Sequence, residues 1–283
     1  MHLLKLIDYH LHTAGTIDCK MTEAQVCERV LQMGFGEIAF TNHIMLNQPD
    51  YIISPKAFSS HCEQVQVCQQ QYPQLKIRLG IEMDYYQGRE NEIAETLQSY
   101  EDLAGRPFDI VLGSIHELHG QFFSNQKCAP SFYQNHNLLS LYCDYFTLSL
   151  EAVQSRLFDV IAHPDLIKKY SNDLTPPVPF EQYRSAVEPF IDTLLVSGVG
   201  IEVNTKGLTI NVGEMYPSNE FLELYLSKAR ICGKEPILTL GSDAHSVEGV
   251  GRSIAEAAAT LKTMGVGSVV SFEKRRHFPY QIY

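Results

Sequence analysis

Apolar residues along this chain gather into short runs, separated by longer stretches whose apolar positions recur at helical spacing. The runs are Leu3 to Ile7, Glu37 to Phe40, Ile77 to Ile81, Asp109 to Leu112, Phe158 to Ala162 and Ile237 to Leu240. Each reads as a buried strand. Thr22 with Gln25 is a capping-box pattern, and it opens a predicted helix that runs to Gly34. Strands are then predicted at 36–41, 76–82, 109–114, 158–162, 199–204 and 237–240, with a last short one near 267–271. Helices are predicted within 56–72, near 88–104, within 134–155, at 180–197, near 218–232 and at 247–263. Gly198 and Gly233 close two of them. Alternation of this kind implies a parallel sheet. Seven or eight such units predict a closed (β/α) barrel in one domain spanning 1–283, with a doubly wound sheet as the alternative. The segment Thr175-Pro176-Pro177-Val178-Pro179 reads as a loop, not a linker.

The polar residues that end the runs carry the chemistry. His10-Leu11-His12 follows the first run, and Thr41-Asn42-His43 the second. Glu82 closes the third, Ser114-Ile115-His116 the fourth, and His163-Pro164-Asp165 the fifth. Gly241-Ser242-Asp243-Ala244-His245 closes the run from Ile237. In a barrel these positions share the C-terminal mouth, where active sites are built. His10 and His12 lie two apart, so a continuing strand points both to one face. Asp243 and His245 have the same spacing. A carboxylate such as Glu82 at the end of an apolar strand is costly to bury alone, and a metal or an arginine removes the cost. Asp84 shares its face and stays open as the alternative. Asp18 becomes a candidate because its loop wraps the same mouth. The remaining histidines, His2, His61, His119, His136 and His277, fall away from strand ends.

Nine potential ligands (His10, His12, Asp18, His43, Glu82, His116, His163, Asp243 and His245) exceed one four-coordinate site. Two or three divalent ions are expected, with one carboxylate bridging. Imidazole and carboxylate donors suit Zn²⁺, Mn²⁺ or Fe²⁺ without choosing among them. Such clusters generate hydroxide near neutral pH and clamp the oxygens of a phosphoryl group, so a metal-dependent hydrolase is predicted.

Composition narrows the partners. The seven cysteines are odd in number and form no CxxC pair, which argues for reduced thiols and against cysteine-held zinc. No run approaches the ~20 apolar residues of a membrane span, and the N-terminus lacks a basic, cleavable leader, so a cytoplasmic location is expected. A net charge of −11 argues against binding to nucleic-acid backbone but leaves room for a small anionic substrate beside bound cations.

In order and spacing, His10-x-His12, Thr-x-His43, Gly80-x-Glu82, Ser-x-His116, His163-Pro-Asp165 and Gly-Ser-Asp243-Ala-His245 resemble the PHP (polymerase and histidinol phosphatase) superfamily over about residues 7 to 252. The stretches around His10, around His163 and from Glu202 to Leu208 resemble its histidinol-phosphate phosphatase branch. The resemblance implies a distorted (β/α)7, TIM-like barrel and a phosphomonoesterase that hydrolyses L-histidinol phosphate to L-histidinol and phosphate in histidine biosynthesis. A PHP phosphoesterase acting on a phosphotyrosyl protein, a nucleotide or a nucleic-acid end is the alternative. It further implies that His10, His12, Glu82 and Asp243 hold one ion, Glu82, His116 and His163 a second, and Asp18, His43 and His245 a third. A hydroxide bridging two ions would attack phosphorus, and Asp243 or His245 would handle protons. Two positions depart from the family's pattern. Asn42 stands where Asp is common, and Thr209 where a basic residue is common after the Gly-Leu pair. Phosphate contact is therefore assigned to Lys168 or Lys206, and the substrate amino group to Glu117 or Asp165.

Overall fold

The structure, a computed structural model, describes residues 6–171 and 176–282. The beginning of the first predicted run, His2 and Thr175 lie outside the described residues. Seven strands form one sheet: β1 (Ile7–Leu11), β2 (Glu37–Ile44), β3 (Lys76–Asp84), β4 (Ile110–Ser114), β7 (Val160–Ile161), β8 (Gly200–Asn204) and β9 (Leu238–Gly241). All neighbours in that order pair in parallel. The ends meet through a parallel bridge between Leu11 and Ala244, with the His12 amide donating to the Ala244 carbonyl at 3.2 Å. Asp8 fastens the same seam, accepting from the Ser242 amide at 2.9 Å and the Gly251 amide at 3.1 Å. The sheet is a nearly closed, distorted (β/α)7 barrel, and a doubly wound sheet is excluded.

The crossovers are α1 (Glu23–Gln32), α2 (Pro55–Gln71), α3 (Glu90–Ala104), α4 (Ala129–Gln134) with α5 (Leu138–Ser155), α6 (Phe180–Ser197) and α7 (Asn219–Ile231), and α8 (Ile254–Thr263) follows β9. Thr22 and Gln25 form the capping box of α1, and left-handed Gly198 ends α6. Aromatic side chains seal the helix layer. Phe146, Tyr183, Phe190 and Phe221 from α5, α6 and α7 stand within 6.1 Å of one another in successive ring contacts.

Several elements differ from expectation. β2 and β3 run on through Ile44 and Asp84, so His43, like Glu82, is a strand residue. α8 begins at Ile254, because the segment before it turns through Gly251 to give its amide to Asp8. The last predicted strand is β10 (Ser268–Glu273). It pairs antiparallel with an unpredicted β11 (Arg276–Gln281) through Lys274 and Arg275, both at positive φ. This hairpin lies outside the barrel sheet and covers the N-terminal strand ends, where Arg275 pairs with Asp159 at 2.7 Å. A second small hairpin, β5 (Glu117–Leu118) with β6 (Gln121–Phe122), was not expected either. Among the described residues no helix is long and apolar enough to cross a membrane.

Candidate metal centre

The strand ends bring the predicted residues to one place. β1 carries His10, and His12 follows it. β2 supplies His43 and β3 supplies Glu82, which are paired in register. His116 follows β4, His163 follows β7, and Asp243 and His245 follow β9. Asp18 comes from the loop after β1, where the Thr16 hydroxyl donates to it at 2.8 Å. The chain must turn sharply to present some of these groups, and His163 and Asp243 hold positive φ.

Glu82 is the centre. Its Oε2 stands 2.8 Å from His43 Nδ1, 3.1 Å from His10 Nε2 and 3.5 Å from His12 Nε2. Its Oε1 stands 2.9 Å from His163 Nε2 and 3.8 Å from His116 Nε2. Asp243 Oδ1 lies 3.4 Å from both His12 Nε2 and His245 Nδ1, and 3.9 Å from His10 Nε2. Asp18 Oδ2 lies 3.1 Å from His245 Nε2 and 3.6 Å from His43 Nε2. Donor atoms cluster within 4.8 Å in three sets: His10, Glu82 and His163; His10, His12 and Asp243; His12, His43 and His245. These sets overlap the grouping implied by resemblance but are not identical to it, since His12 also stands among the outer imidazoles.

The donor set fits divalent ions. His10, His12 and Glu82 are fully buried, while Asp18 and His245 at the mouth are 23% and 22% exposed. Among the described residues, buried His10 Nε2, His12 Nε2 and Glu82 Oε2 have no hydrogen-bond partner, although each converges on its neighbours. Unpaired polar atoms at that depth are costly, and a shared cation satisfies them together. Outer acceptors fix the tautomers. A carboxylate only accepts, so His10 Nδ1–H donates to Glu202 at 2.8 Å and His116 Nδ1–H to Asp84 at 2.6 Å. His245 Nδ1–H donates to the Asp243 carbonyl at 3.0 Å. In each case the Nε2 lone pair is left facing the cluster. Burial pulls the His43 pKa down, but Glu82 and then Asp18 outweigh it and push it up to about 9. Burial, followed by neighbouring His245 and His43, lowers His12. Burial would raise Glu82, yet His43 and His10 hold it well below the usual carboxylate range.

A cavity of about 370 Å³ opens above the outer imidazoles. Lys206 lines it, and its ammonium reaches the Asp243 carbonyl at 3.1 Å. Lys168 does not. It is buried, and its ammonium is held by Asp165 at 3.0 Å, Glu214 at 2.8 Å and the Met215 carbonyl at 2.8 Å. That corrects both Lys168 and Asp165 as substrate contacts, since each neutralises the other and the Ser218 amide also binds Asp165. Lys169 lines the cavity instead. The left-handed turns at His163 and Asp165 set which of two adjacent lysines faces inward, and their phase is invisible in sequence. Glu117 is corrected as well. Its oxygens accept from Asn47 and Gln48 at 2.8 and 2.7 Å, and it lines a neighbouring cleft. Asp84 anchors His116 and so is not the alternative to Glu82. Glu202 was missed as an anchor, though an acid within an otherwise apolar strand was its signal. Asn42 binds Thr13, not His43.

The PHP domain family model matches residues 8–206. The chain is 29% identical to a probable histidinol-phosphatase of Deinococcus radiodurans, over 97% of this chain and 99% of that one. It is 27% identical to the histidinol-phosphatase of Bacillus subtilis, over 86% and 95%. Its fold is similar to that of histidinol phosphate phosphatase from Lactococcus lactis, solved in complex with zinc, L-histidinol and phosphate. The TM-score is 0.81 at 22% identity, covering 98% of this chain and 100% of that one. With a family model spanning most of its length, from β1 into the turn after β8, this chain belongs to the PHP domain family.

Proposed function

We propose that this protein is a metal-dependent phosphomonoesterase that hydrolyses L-histidinol phosphate to L-histidinol and phosphate, a cytoplasmic step of histidine biosynthesis. The observation that carries the reading is the convergence of five histidines on the two oxygens of Glu82, at a barrel mouth lined by Lys127, Lys169 and Lys206. The histidinol-phosphatase relatives supply the substrate.

His10, His12, His43, His116, His163, His245, Asp18, Glu82 and Asp243 would hold two or three Zn²⁺, Mn²⁺ or Fe²⁺ ions, with Glu82 serving two of them. When bound, such ions supply a nucleophile near neutral pH and neutralise phosphate oxygens. The chain's own groups do the rest. Lys206 and Lys169 offer positive charge where a phosphate dianion enters. Asp243 and His245 stand 3.4 Å apart at the rim, placed to hold the proton that a leaving alcohol oxygen requires. Tyr51 and Phe122 meet edge to face at 5.4 Å on the cavity wall. With Glu117 and Asp165 engaged elsewhere, these rings are the surface offered to the imidazole and ammonium of the substrate.

The test is steady-state phosphate release from L-histidinol phosphate by metal-reconstituted protein, beside p-nitrophenyl phosphate, AMP and a phosphotyrosyl peptide. A kcat/KM of ~10⁴ M⁻¹s⁻¹ or more for histidinol phosphate, far above the others, is expected. Turnover of the generic substrates alone would retain a phosphoesterase and discard the biosynthetic role.

A further inference from the structure

His61 lies on α2, away from every strand end, yet it is buried and hydrogen-bonded into the metal centre's support. Its Nδ1 stands 2.6 Å from Glu23 Oε1 on α1 and 3.2 Å from Thr13 Oγ1. Thr13 follows His12 directly. Its amide donates to Asn42 Oδ1 at 2.8 Å, and Asn42 Nδ2 donates back to Thr13 Oγ1 at 2.9 Å. Asn42 directly precedes His43. The Thr13 hydroxyl also lies near Glu23 and helps hold that carboxyl below its ordinary pKa. All four side chains are buried. Through Thr13 and Asn42, α1 and α2 therefore grip the two chain segments that present His12 and His43, whose rings lie 4.2 Å apart.

The proton count in this network favours one arrangement. A carboxylate accepts only, so His61 Nδ1–H goes to Glu23, and the single hydroxyl proton of Thr13 is directed toward the same carboxylate. The Thr13 oxygen is then free to accept from the Asn42 amide. A carboxylate at position 42 would compete with Glu23 for the same hydroxyl proton and leave two buried anions sharing it. We propose that Thr13, Asn42, Glu23 and His61 are positioning residues for the His12–His43 part of the metal centre, and that the neutral amide at 42 is matched to the carboxylate at 23. This rests on the reading that His12 and His43 hold metal.

The measurement is Zn²⁺ affinity and stoichiometry, by competition with a chromophoric chelator. Asn42→Asp is expected to weaken the most loosely held Zn²⁺ about tenfold or more, the usual effect of losing a group behind a ligand. Adding Glu23→Gln to it moves the carboxylate across Thr13, lets the new side-chain amide on α1 donate to the Thr13 oxygen, and is expected to restore affinity to within about threefold. A plain structural role would give two additive losses. If wild-type protein binds no Zn²⁺, the metal reading itself fails. If it binds and Asn42→Asp keeps native affinity, or the double variant does not recover, the positioning proposal fails alone. Should Asn42→Asp not fold, Thr13→Val removes only the hydroxyl hub and carries the same expected weakening, and native affinity in that variant overturns the proposal.

Discussion

His43 and Glu82 are cross-strand partners in the register of β2 and β3, and His43 Nδ1 stands 2.8 Å from Glu82 Oε2. Parallel pairing places both side chains on the inward face at one height, so the sheet itself delivers the contact. Four other histidines reach the same carboxylate from β1, from the residue after it, and from the turns after β4 and β7. Replacing Glu82 by Ala removes the carboxylate on which five histidines converge. Phosphatase activity should fall by more than about 100-fold, since even groups behind a ligand are worth 10–100-fold. The barrel should survive by circular dichroism. Full activity in Glu82→Ala would rule out the shared-metal arrangement.

Stripping the metal should destabilise the protein. The buried donors of His10, His12 and Glu82 that have no hydrogen-bond partner would lose their common one. An ion present at 100 times its Kd adds about 2.7 kcal/mol to the folded state. Thermal melts before and after dialysis against a strong chelator should show a clear drop in Tm, reversed by Zn²⁺ or Mn²⁺. Coincident melts would mean that the cluster does not hold ions.

The two adjacent lysines should separate function from stability. Lys169→Ala, at the cavity wall, should lower kcat/KM about 10-fold or more and leave Tm nearly unchanged, as expected for loss of a charge-assisted contact. Lys168→Met should leave Asp165 buried without its partner and cost roughly 3–5 kcal/mol in urea unfolding. The reverse pattern would show that the assignment of the pair is inverted.

Gly241 is held to glycine by contact, not by φ. A Cβ there would strike the Glu202 carboxylate and stand 2.6 Å from His10 Cβ. Glu202 holds the His10 ring and, through its other oxygen, the His163 amide at 2.8 Å. Gly241→Ala should therefore weaken Zn²⁺ binding by about 10-fold or more while the helices persist. Unchanged Zn²⁺ affinity would show that the Glu202 anchor is dispensable.

The Glu23–His61 pair sets a pH dependence. Burial would raise the Glu23 pKa, but the His61 hydrogen bond and charge outweigh it and leave it below its ordinary 4.5. A depressed carboxyl binds fewer protons folded than unfolded, so its stabilisation is present above pH 4.5 and is lost as pH falls through the folded value. Glu23→Gln should cost about 1 kcal/mol at pH 7, and the difference from wild type should shrink in acid. Urea midpoints at pH 7 and pH 4 read this directly, and a gap that widens in acid would reverse the sign.

The clustered candidate ligands other than Asp18 were legible because they lie at or just past the end of a run of apolar residues, and apolar runs are what sequence shows best. The supports were not. Glu202, Asp84 and Asn42 sit within strands, where polar residues look like interruptions until the barrel shows what they face. Choosing Lys169 over Lys168 required the left-handed turns at His163 and Asp165. β11 was hidden because its residues are mostly exposed and include Pro279, both untypical of a buried strand. His61 looked like a stray histidine because α1 and α2 give no sequence sign of meeting over Thr13.

The barrel closes by joining β1 to the turn after β9, with Asp8 reaching Ser242 and Gly251. The first and last contributors to the ion cluster are thus more than 230 positions apart, as His10 and Asp243 mark. A chain emerging from the ribosome at about 5–20 residues per second must wait until Asp243 and His245 are free before the cluster is complete. On the proposed metal reading, ion capture is therefore a late event in biogenesis, following synthesis of nearly the whole barrel. Until then, the histidines of the first four strands stand along an open sheet edge. Any ion they take up is held by part of its ligand set and can leave again.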